Sequence, residues 1–289
     1  MIRKRDVRKV YLPQTGLFYC AAIWGSTFFI VKGSLVGIHP VILVGYRFTL
    51  AALILGIILA FKRKNLFANA REGLILGFFL GVLYLTQTMG LGMTTASNSG
   101  FITGMFVAFV PFFGFTVFRI VPSKISLVAS VVAMGGLWML TGGIGGVNYG
   151  DMLTLAAAMS YAIHLLYVDR FVKKKIDPYV LNFQQFLFIG LFALLMGAVF
   201  KLPFEVTGDK VIASVVFLAL LPTLSAFVIQ LSAQRYVHPV RVSLIFAFEP
   251  VFAAAFAWTL GNEPFVAARA AGGGLIVLAL ILSSFDNGK

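Results

Sequence analysis

The chain of 289 residues is 60% hydrophobic and only 11% charged, and its mean hydropathy is +0.96. Soluble domains are roughly 45–50% apolar and about 25% charged, so this composition excludes a soluble globular fold. A single cysteine and 29 glycines without a three-residue period exclude a disulfide scaffold and a collagen-like fibre.

Ten apolar runs follow one another, separated by charged residues or by Gly, Pro and Asn turns. They cover residues 13–31, 40–61, 73–93, 97–118, 124–141, 150–168, 178–200, 212–233, 239–260 and 266–285. A transmembrane helix needs about 20 such residues. The run LILGFFLGVLYL (74–85) does not alternate as a strand of a membrane barrel would. The sequence therefore predicts an all-α integral membrane protein with ten transmembrane helices.

The basic residues predict the orientation of these helices. Eighteen of them fall in the amino-terminal segment, the even-numbered junctions and the carboxyl-terminal tail. The odd-numbered junctions hold four, namely Lys32, Lys201, Lys210 and Arg269. By the positive-inside rule, both termini are cytoplasmic. Because the net charge of +13 is spread between apolar runs, we expect it to orient helices rather than to bind nucleic acid. The first run lacks a small-x-small cleavage site, so we expect it to be retained as a span.

The second half of the chain repeats the first. A shift of 139 residues lays the Phe-x-Pro-x-Phe pattern of residues 109–113 on that of residues 248–252, and a shift of 136 lays AAIWG (21–25) on AAMSY (157–161). Each half, 1–141 and 150–289, holds five predicted helices. Because five is odd, the halves enter the membrane in opposite directions, and such inverted repeats are a recurrent architecture of secondary transporters.

Several motifs carry a resemblance to a known family. They are WGSTFF (24–29), RFTLAALIL (47–55), TTASNSGFITGMFVAFVPF (94–112), GDMLTLAAAMSYA (150–162) and FEPVFAAAFAWTLGNEP (248–264). Together they resemble the EamA family of the drug/metabolite transporter superfamily. The resemblance implies two five-helix inverted repeats around a central cavity, and export of small metabolites such as amino acids across a bacterial inner membrane.

The residues themselves do not determine the substrate, the coupling ion, the direction of transport, or whether the protein is a monomer or a homodimer. Protons are one candidate for the coupling ion. The sequence contains no Walker, CxxC, HExxH or GxSxG motif, so we expect no cofactor, no metal and no enzyme activity. The alternative is an intramembrane enzyme or flippase that acts on a lipid-linked substrate.

Glu249 is the single acidic residue deep inside a predicted span, nine residues or about 14 Å from its cytoplasmic end. An intramembrane carboxylate normally faces a protein interior or water and marks a substrate or proton pathway. The equivalent position in the first half is Val110, so this charge breaks the repeat. Glu249 is therefore the leading candidate for substrate or proton binding. A structural carboxylate paired with Arg47 is the alternative.

Further polar groups in the middle or inner parts of spans are candidates for lining a substrate cavity. They are Trp24, Tyr84, Gln87, His164, Gln230 and Ser243. Each could equally be an interhelical hydrogen-bonding group, and His164 in particular could be a satisfied core donor.

Other residues are candidates for structural or gating roles. Arg47 lies about 10 Å deep, where it could extend to the interface or reach Glu249, and its repeat partner is Gln185. Pro111 and Pro250 each remove a helical hydrogen bond, so we expect matched kinks in spans four and nine. Small-xxx-small pairs, Gly77 with Gly81 and Gly100 with Gly104, predict close approach of spans three and four.

The predicted orientation can be tested with single cysteines introduced at Gly145 and at Lys174. A membrane-impermeant thiol reagent applied to intact cells should label the cysteine at 145 and leave the one at 174 unlabelled, because the first lies on the predicted outer side. Labelling at 174 without labelling at 145 would overturn the orientation.

Overall fold

The computed structural model describes residues 4–94, 96–141, 148–259 and 265–285, which form helices and their connections and contain no strand. In chain order the α-helices are α1 (Lys4–Gly25), α2 (Thr27–Ser34), α3 (Pro40–Phe61), α4 (Ala70–Met93), α5 (Ala96–Gly104), α6 (Phe106–Thr116), α7 (Lys124–Thr141), α8 (Tyr149–Lys173), α9 (Pro178–Val199), α10 (Asp209–Leu218), α11 (Ala226–Ala233), α12 (Pro239–Phe246), α13 (Glu249–Thr259) and α14 (Ala267–Ser284). A π-helical segment, Ala219–Ser225, joins α10 to α11.

Seven helical stretches in the described residues are long and apolar enough to cross a membrane. They are 12–34, 40–61, 70–93, 99–116, 149–173, 178–199 and 209–233. Each coincides with one of the ten predicted runs. Two shorter apolar helices lie at 124–140 and 267–283, and the ninth run is divided between α12 and α13. The chain is therefore an all-α, multi-pass membrane protein, and the count of ten spans and the orientation stay predictions. Arg3, Gly145 and Lys289 lie outside the described residues.

The starts of several helices follow from their sequence. A proline at the first position of a helix needs no hydrogen-bond donor there and has a helical φ angle already. Pro40 and Pro178 begin α3 and α9 in this way. The preceding residues, His39 and Asp177, each accept a hydrogen bond from a backbone N–H of the first turn. The predicted first and second halves thus begin their second helices with the same kind of cap.

Large apolar side chains cover much of the outside of the molecule. Phe61 is 85% exposed, Phe29 83% and Leu195 61%. Exposed apolar surface on this scale would be a liability in water. In a bilayer it is the surface that faces lipid, because lipid tails are as apolar as these side chains. The exposure therefore agrees with the membrane class that the composition predicts.

The interior is built from pairs of helices, one from each half of the chain. The closest pairs are α3 with α9, α4 with α8, and α7 with α14, followed by α4 with α9 and α1 with α11. Fully buried phenylalanines fill the centre, namely Phe48, Phe106, Phe186, Phe227 and Phe246. The two halves therefore share one core rather than folding side by side.

Interruptions of the helices concentrate in a few places. The first span breaks at Ser26, the fourth at Met105, and the ninth between Phe246 and Glu249. Pro250 directly follows its break, but Pro111 lies six residues beyond Met105, inside α6. The break in the fourth span therefore lies further from its proline than the break in the ninth span does, and matched kinks at Pro111 and Pro250 stay a prediction. The Pro111 ring is buried within a helix that continues past it.

The glycines of the predicted small-xxx-small pairs contact other partners than expected. A Cβ on Gly77 would lie 2.8 Å from the Phe188 side chain of α9, and one on Gly104 would lie 3.0 Å from Leu137 of α7. A Cβ on Gly100 would meet no atom within 4 Å. The expectation that these glycines bring spans three and four together was therefore wrong, because sequence spacing does not record which neighbour a helix face meets.

The backbones of α7 and α14 come close together where the two helices cross. A Cβ added to Gly136 would lie 2.7 Å from the carbonyl oxygen of Gly272 and 3.0 Å from the backbone nitrogen of Ile276. Only glycine fits here, because a backbone atom cannot move aside as a flexible side chain does. The adjacent Gly135 has open space around its Cβ position.

Gly136→Ala is expected to lower the free energy of unfolding by about 1–3 kcal/mol, the usual cost of overpacking. Gly135→Ala is the matched control on the same helix turn and is expected to melt at or above the wild-type temperature. Thermal unfolding of the purified protein in detergent measures both. Equal melting temperatures for the two variants would contradict this contact.

Candidate functional site

A narrow cavity lies at mid-membrane between the two halves of the chain. It is lined by Trp24, Thr27, Leu83, Tyr84, Gln87, Thr103, Tyr161 and Glu249. These residues come from α1, α2, α4, α5, α8 and α13. Tyr161 lies twelve residues along the 25-residue helix α8, or about 18 Å from its start, which is the middle of a span. In this conformation the cavity has room for about one water molecule.

Glu249 stands at the point where the ninth span is broken. It is the first residue of α13, so its carboxylate lies beside the amino-terminal end of that helix, where negative charge is favoured. Gly25 packs against it, since a Cβ on Gly25 would lie 2.6 Å from the Glu249 carbonyl oxygen. The first and ninth spans therefore meet where both are interrupted.

Glu249 is a buried residue, at 8% exposure, and it lines the cavity. Among the described residues it has no hydrogen-bond donor and no cationic partner. Buried charges are normally paired, because transfer from water into a medium of low dielectric constant is costly. The arrangement leaves both carboxylate oxygens available to a proton or to a bound cation.

Tyr161 brings a second unsatisfied group to the same cavity. Its hydroxyl is buried and has no hydrogen-bond partner in the described part of the chain. Its ring is held in place by Phe106, at 4.9 Å between ring centroids, and by Phe246, at 6.4 Å. A buried polar group without a partner is rare in native proteins and calls for an explanation. A ligand in the cavity would supply the missing hydrogen bond.

The other polar lining groups are held by hydrogen bonds. The Gln87 side-chain amide donates to the Thr103 hydroxyl at 3.0 Å, and the Thr27 hydroxyl donates to the Trp24 carbonyl at 2.8 Å. The indole Nε1 of Trp24 donates to the carbonyl of Pro222 at 2.7 Å, within the π-helical segment. Such segments leave backbone groups free for tertiary contacts and recur at functional sites.

Arg47 has partners of its own and does not pair with Glu249. Its Nε donates to the Thr223 hydroxyl at 2.5 Å, and a terminal nitrogen contacts the Tyr84 hydroxyl at 3.4 Å. The guanidinium also lies 4.6 Å from the centroid of the Tyr84 ring. At 3% exposure Arg47 does not extend to the interface either. It locks α3 to the π-helical segment and to α4.

His164 lies outside the cavity, in a buried hydrogen-bond chain. The Gln185 amide donates to Asn182 at 2.7 Å, and Gln185 Oε1 lies 2.9 Å from His164 Nε2. Since an amide oxygen can only accept, His164 donates from Nε2. Its Nδ1 is left buried and without a partner among the described residues. This chain joins α8 to α9, so Gln185 has a structural position as its repeat partner Arg47 does.

Gln230 and Ser243 are also buried away from the cavity. Gln230 donates to Gln234 at 3.0 Å, which in turn donates to the carbonyl of Leu165 at 3.1 Å. The Ser243 hydroxyl bonds within its own helix, to the carbonyl of Val240. Both are fully buried and belong to the interhelical packing. In the part of the chain that the structure describes, no group of three or more His, Cys, Asp or Glu could hold a metal ion.

The structure thus brings together four of the predicted site residues and separates the others. Trp24, Tyr84, Gln87 and Glu249 line one cavity. Sequence reasoning missed Tyr161, Thr27, Leu83 and Thr103. For Tyr161 a signal existed, because the shift that aligns AAIWG with AAMSY places it opposite Gly25, next to Trp24.

Thr223→Val should lower the free energy of unfolding by about 1–3 kcal/mol, because it removes the acceptor of a buried guanidinium. Thr223→Ser keeps the hydroxyl and should retain most of the stability. Melting temperatures of the two purified variants in the same detergent measure the difference. A valine variant as stable as the wild type would show that Arg47 does not depend on this hydrogen bond.

Comparison with known proteins identifies the family. The model of the EamA-like transporter family matches residues 14–142 and again residues 148–285. An uncharacterized transporter of Archaeoglobus fulgidus is 30% identical over 280 residues, which cover 96% of this chain and 87% of that protein. The uncharacterized inner membrane transporter YedA of Escherichia coli K12 is 27% identical, over 94% of this chain and 90% of its own.

The fold is also found among solved structures. One crystal structure of a protein superposes with a TM-score of 0.79 at 17% identity, covering 95% of this chain and 97% of that one. The family model matches most of the chain in two successive segments, and the curated relatives align along nearly all of it. This chain is a membrane transporter of the EamA-like family.

Proposed function

We propose that the protein is a secondary active transporter that exports small metabolites carrying a protonated amine, amino acids among them, by alternating access around the cavity at Glu249. The observation that carries this proposal is a buried, unpartnered carboxylate that lines a cavity between the two halves of a transporter. An intramembrane carboxylate marks a substrate or proton pathway by default. We place the protein in a bacterial inner membrane with both termini in the cytoplasm.

The packing of the helices supports an inverted repeat of two five-helix halves, 1–141 and 150–289. If the two halves exchange places, the sixth span takes the position of the first and the third that of the eighth. The contact between the third and sixth spans, α4 with α8, then becomes the contact between the eighth and first spans, α11 with α1, which the structure also contains. The contacts of α3 with α9 and of α7 with α14 map onto themselves. Contacts that are preserved by this exchange are those expected around a pseudo-two-fold axis.

The lining of the cavity favours a cationic group in the substrate. Aromatic rings of Trp24, Tyr84 and Tyr161 surround the same space as the carboxylate of Glu249. A cation is attracted both to a carboxylate and to the faces of aromatic rings, most strongly where water is excluded. The free hydroxyl of Tyr161 and the amide of Gln87 add polar contacts that would orient the ligand. An ammonium group matches this combination of charge and aromatic surface.

Transport would require the cavity to open, because a metabolite is larger than the space now present. Toward the predicted outer side, Lys32 Nζ donates to the carbonyl of Thr94 at 2.5 Å, and the Thr94 hydroxyl donates to Asp151 at 2.5 Å. This chain of contacts ties α2, the end of α4 and the start of α8 together. Its release would separate elements of the two halves on that side.

The proposal can be tested in proteoliposomes with a panel of amino acids and the corresponding amines, under imposed proton gradients. If Glu249 binds the ammonium group, Glu249→Gln should weaken substrate binding. If Glu249 carries a coupling proton instead, the same change should leave exchange active and abolish accumulation driven by a pH gradient.

Glu72→Gln is the matched control, since Glu72 lies in the first turn of α4 and outside the cavity. It should transport as the wild type does. Normal transport per folded molecule by Glu249→Gln, with only lower expression or thermal stability, would mean that the carboxylate is structural and would refute the proposal.

A further inference from the structure

A second, larger recess opens at the end of the molecule where the basic residues predominate. It has a volume of about 570 Å³, within the range of ligand sites. Its walls are the last turns of α3, the start of α9, and the region from the π-helical segment to the end of α11. None of its lining residues lines the cavity at Glu249. We call this recess the basic groove.

The deeper part of the basic groove is apolar. Leu55, Ile58 and Leu59 of α3 face Leu224 and Val228 across it. Ile58 is 42% exposed, so the wall is open to an apolar ligand. The apolar wall lies equally far from the charged mouth on both sides of the groove. Seven residues, or about 10 Å of helix, separate Leu55 from Lys62 on one side and Val228 from Arg235 on the other.

The mouth of the basic groove is positively charged. Among its described lining residues, four are basic and one is acidic, namely Lys62, Lys64, Lys175, Arg235 and Asp177. Burial alone would raise the pKa of the Asp177 carboxyl, but hydrogen bonds from Lys64 and from the Tyr179 backbone hold it below its ordinary value. The acid is therefore ionised and neutralises Lys64, at 2.9 Å. Three positive charges remain.

One of these remaining charges, that of Arg235, is anchored at the mouth by a hydrogen bond. Arg235 donates from one terminal nitrogen to the carbonyl of Ile176 at 2.6 Å, while its buried Nε has no partner among the described residues. The Lys62 ammonium lies 6.0 Å from the centroid of the Tyr179 ring. Lys175 is exposed beside them. Three cationic groups thus lie around one opening, at the ends of predicted membrane-spanning helices.

We propose that the basic groove binds an anionic phospholipid of the adjacent leaflet, with its phosphate at Lys62, Lys175 and Arg235 and an acyl chain along the apolar wall. Basic pockets between transmembrane helices bind lipid headgroups by this combination of charge and position. A phosphate matches the surplus of positive charge, and a hydrocarbon chain matches the wall of leucine, isoleucine and valine. A neutral lipid would leave the charges unmatched, and a small anion would leave the wall uncovered.

Native mass spectrometry of the purified full-length protein, titrated with dioleoylphosphatidylglycerol, measures the affinity for such a lipid. Lys62→Gln combined with Lys175→Gln should weaken binding about twenty-five-fold, since each lysine near an anionic headgroup contributes roughly a fivefold factor. Arg71→Gln combined with Lys124→Gln is the matched control. It removes the same charge from the same predicted side, outside the groove, and should leave the affinity unchanged.

Three results would overturn the proposal. Equal loss of affinity in the two double variants would mean that the lipid is attracted by overall charge. Equal affinity for dioleoylphosphatidylcholine would mean that the groove takes hydrocarbon regardless of headgroup. Displacement of the lipid by glycerol 3-phosphate at a matching concentration would mean that the groove binds a soluble anion. Because Lys62 and Lys175 do not line the Glu249 cavity, these outcomes are independent of the transport test.

Discussion

The centre of a bilayer offers no water to satisfy a charge, and this protein places two ionisable side chains of opposite sign there. Arg47 is held by Thr223 and Tyr84, whereas Glu249 has no partner in the described part of the chain. The two are not joined to each other, although a direct ion pair would have been the simplest way to stabilise both. The polar side chains nearby therefore hydrogen-bond to the Arg47 guanidinium, and the Glu249 carboxylate faces the cavity without a partner among the described residues.

This division of partners follows from where the helices are interrupted. The break in the ninth span makes Glu249 the first residue of α13, so that its carboxylate lies at a helix amino terminus within the span, where negative charge is favoured. The break stands against Gly25, whose missing side chain allows the first span to approach the Glu249 backbone. Irregular backbone at membrane depth is tolerated where it is buried in protein or lines a cavity. Both conditions hold at this junction.

Hydropathy predicted the helical membrane class, and motif resemblance predicted the family, because each is recorded locally along the chain. The contents of the cavity were only partly predictable, because they depend on how each helix is rotated about its axis. Tyr161 and His164 show this on α8. They are three residues apart, yet the first lines the cavity and the second faces Gln185. The break in the ninth span is marked in the sequence by Pro250, which directly follows it, whereas no proline directly follows the break at Met105.

The π-helical segment Ala219–Ser225 connects three features that lie far apart in the sequence, namely Trp24 at the cavity, Arg47 and the basic groove. Its Pro222 carbonyl accepts the hydrogen bond of Trp24, which lines the cavity, and its Thr223 hydroxyl holds Arg47. Its last residues, Leu224 and Ser225, line the basic groove. Each hydrogen bond of a π-helix spans one residue more than that of an α-helix, and such short segments recur at functional sites. One short segment thus holds a lining residue of the cavity, positions the buried Arg47 and supplies part of the wall of the basic groove.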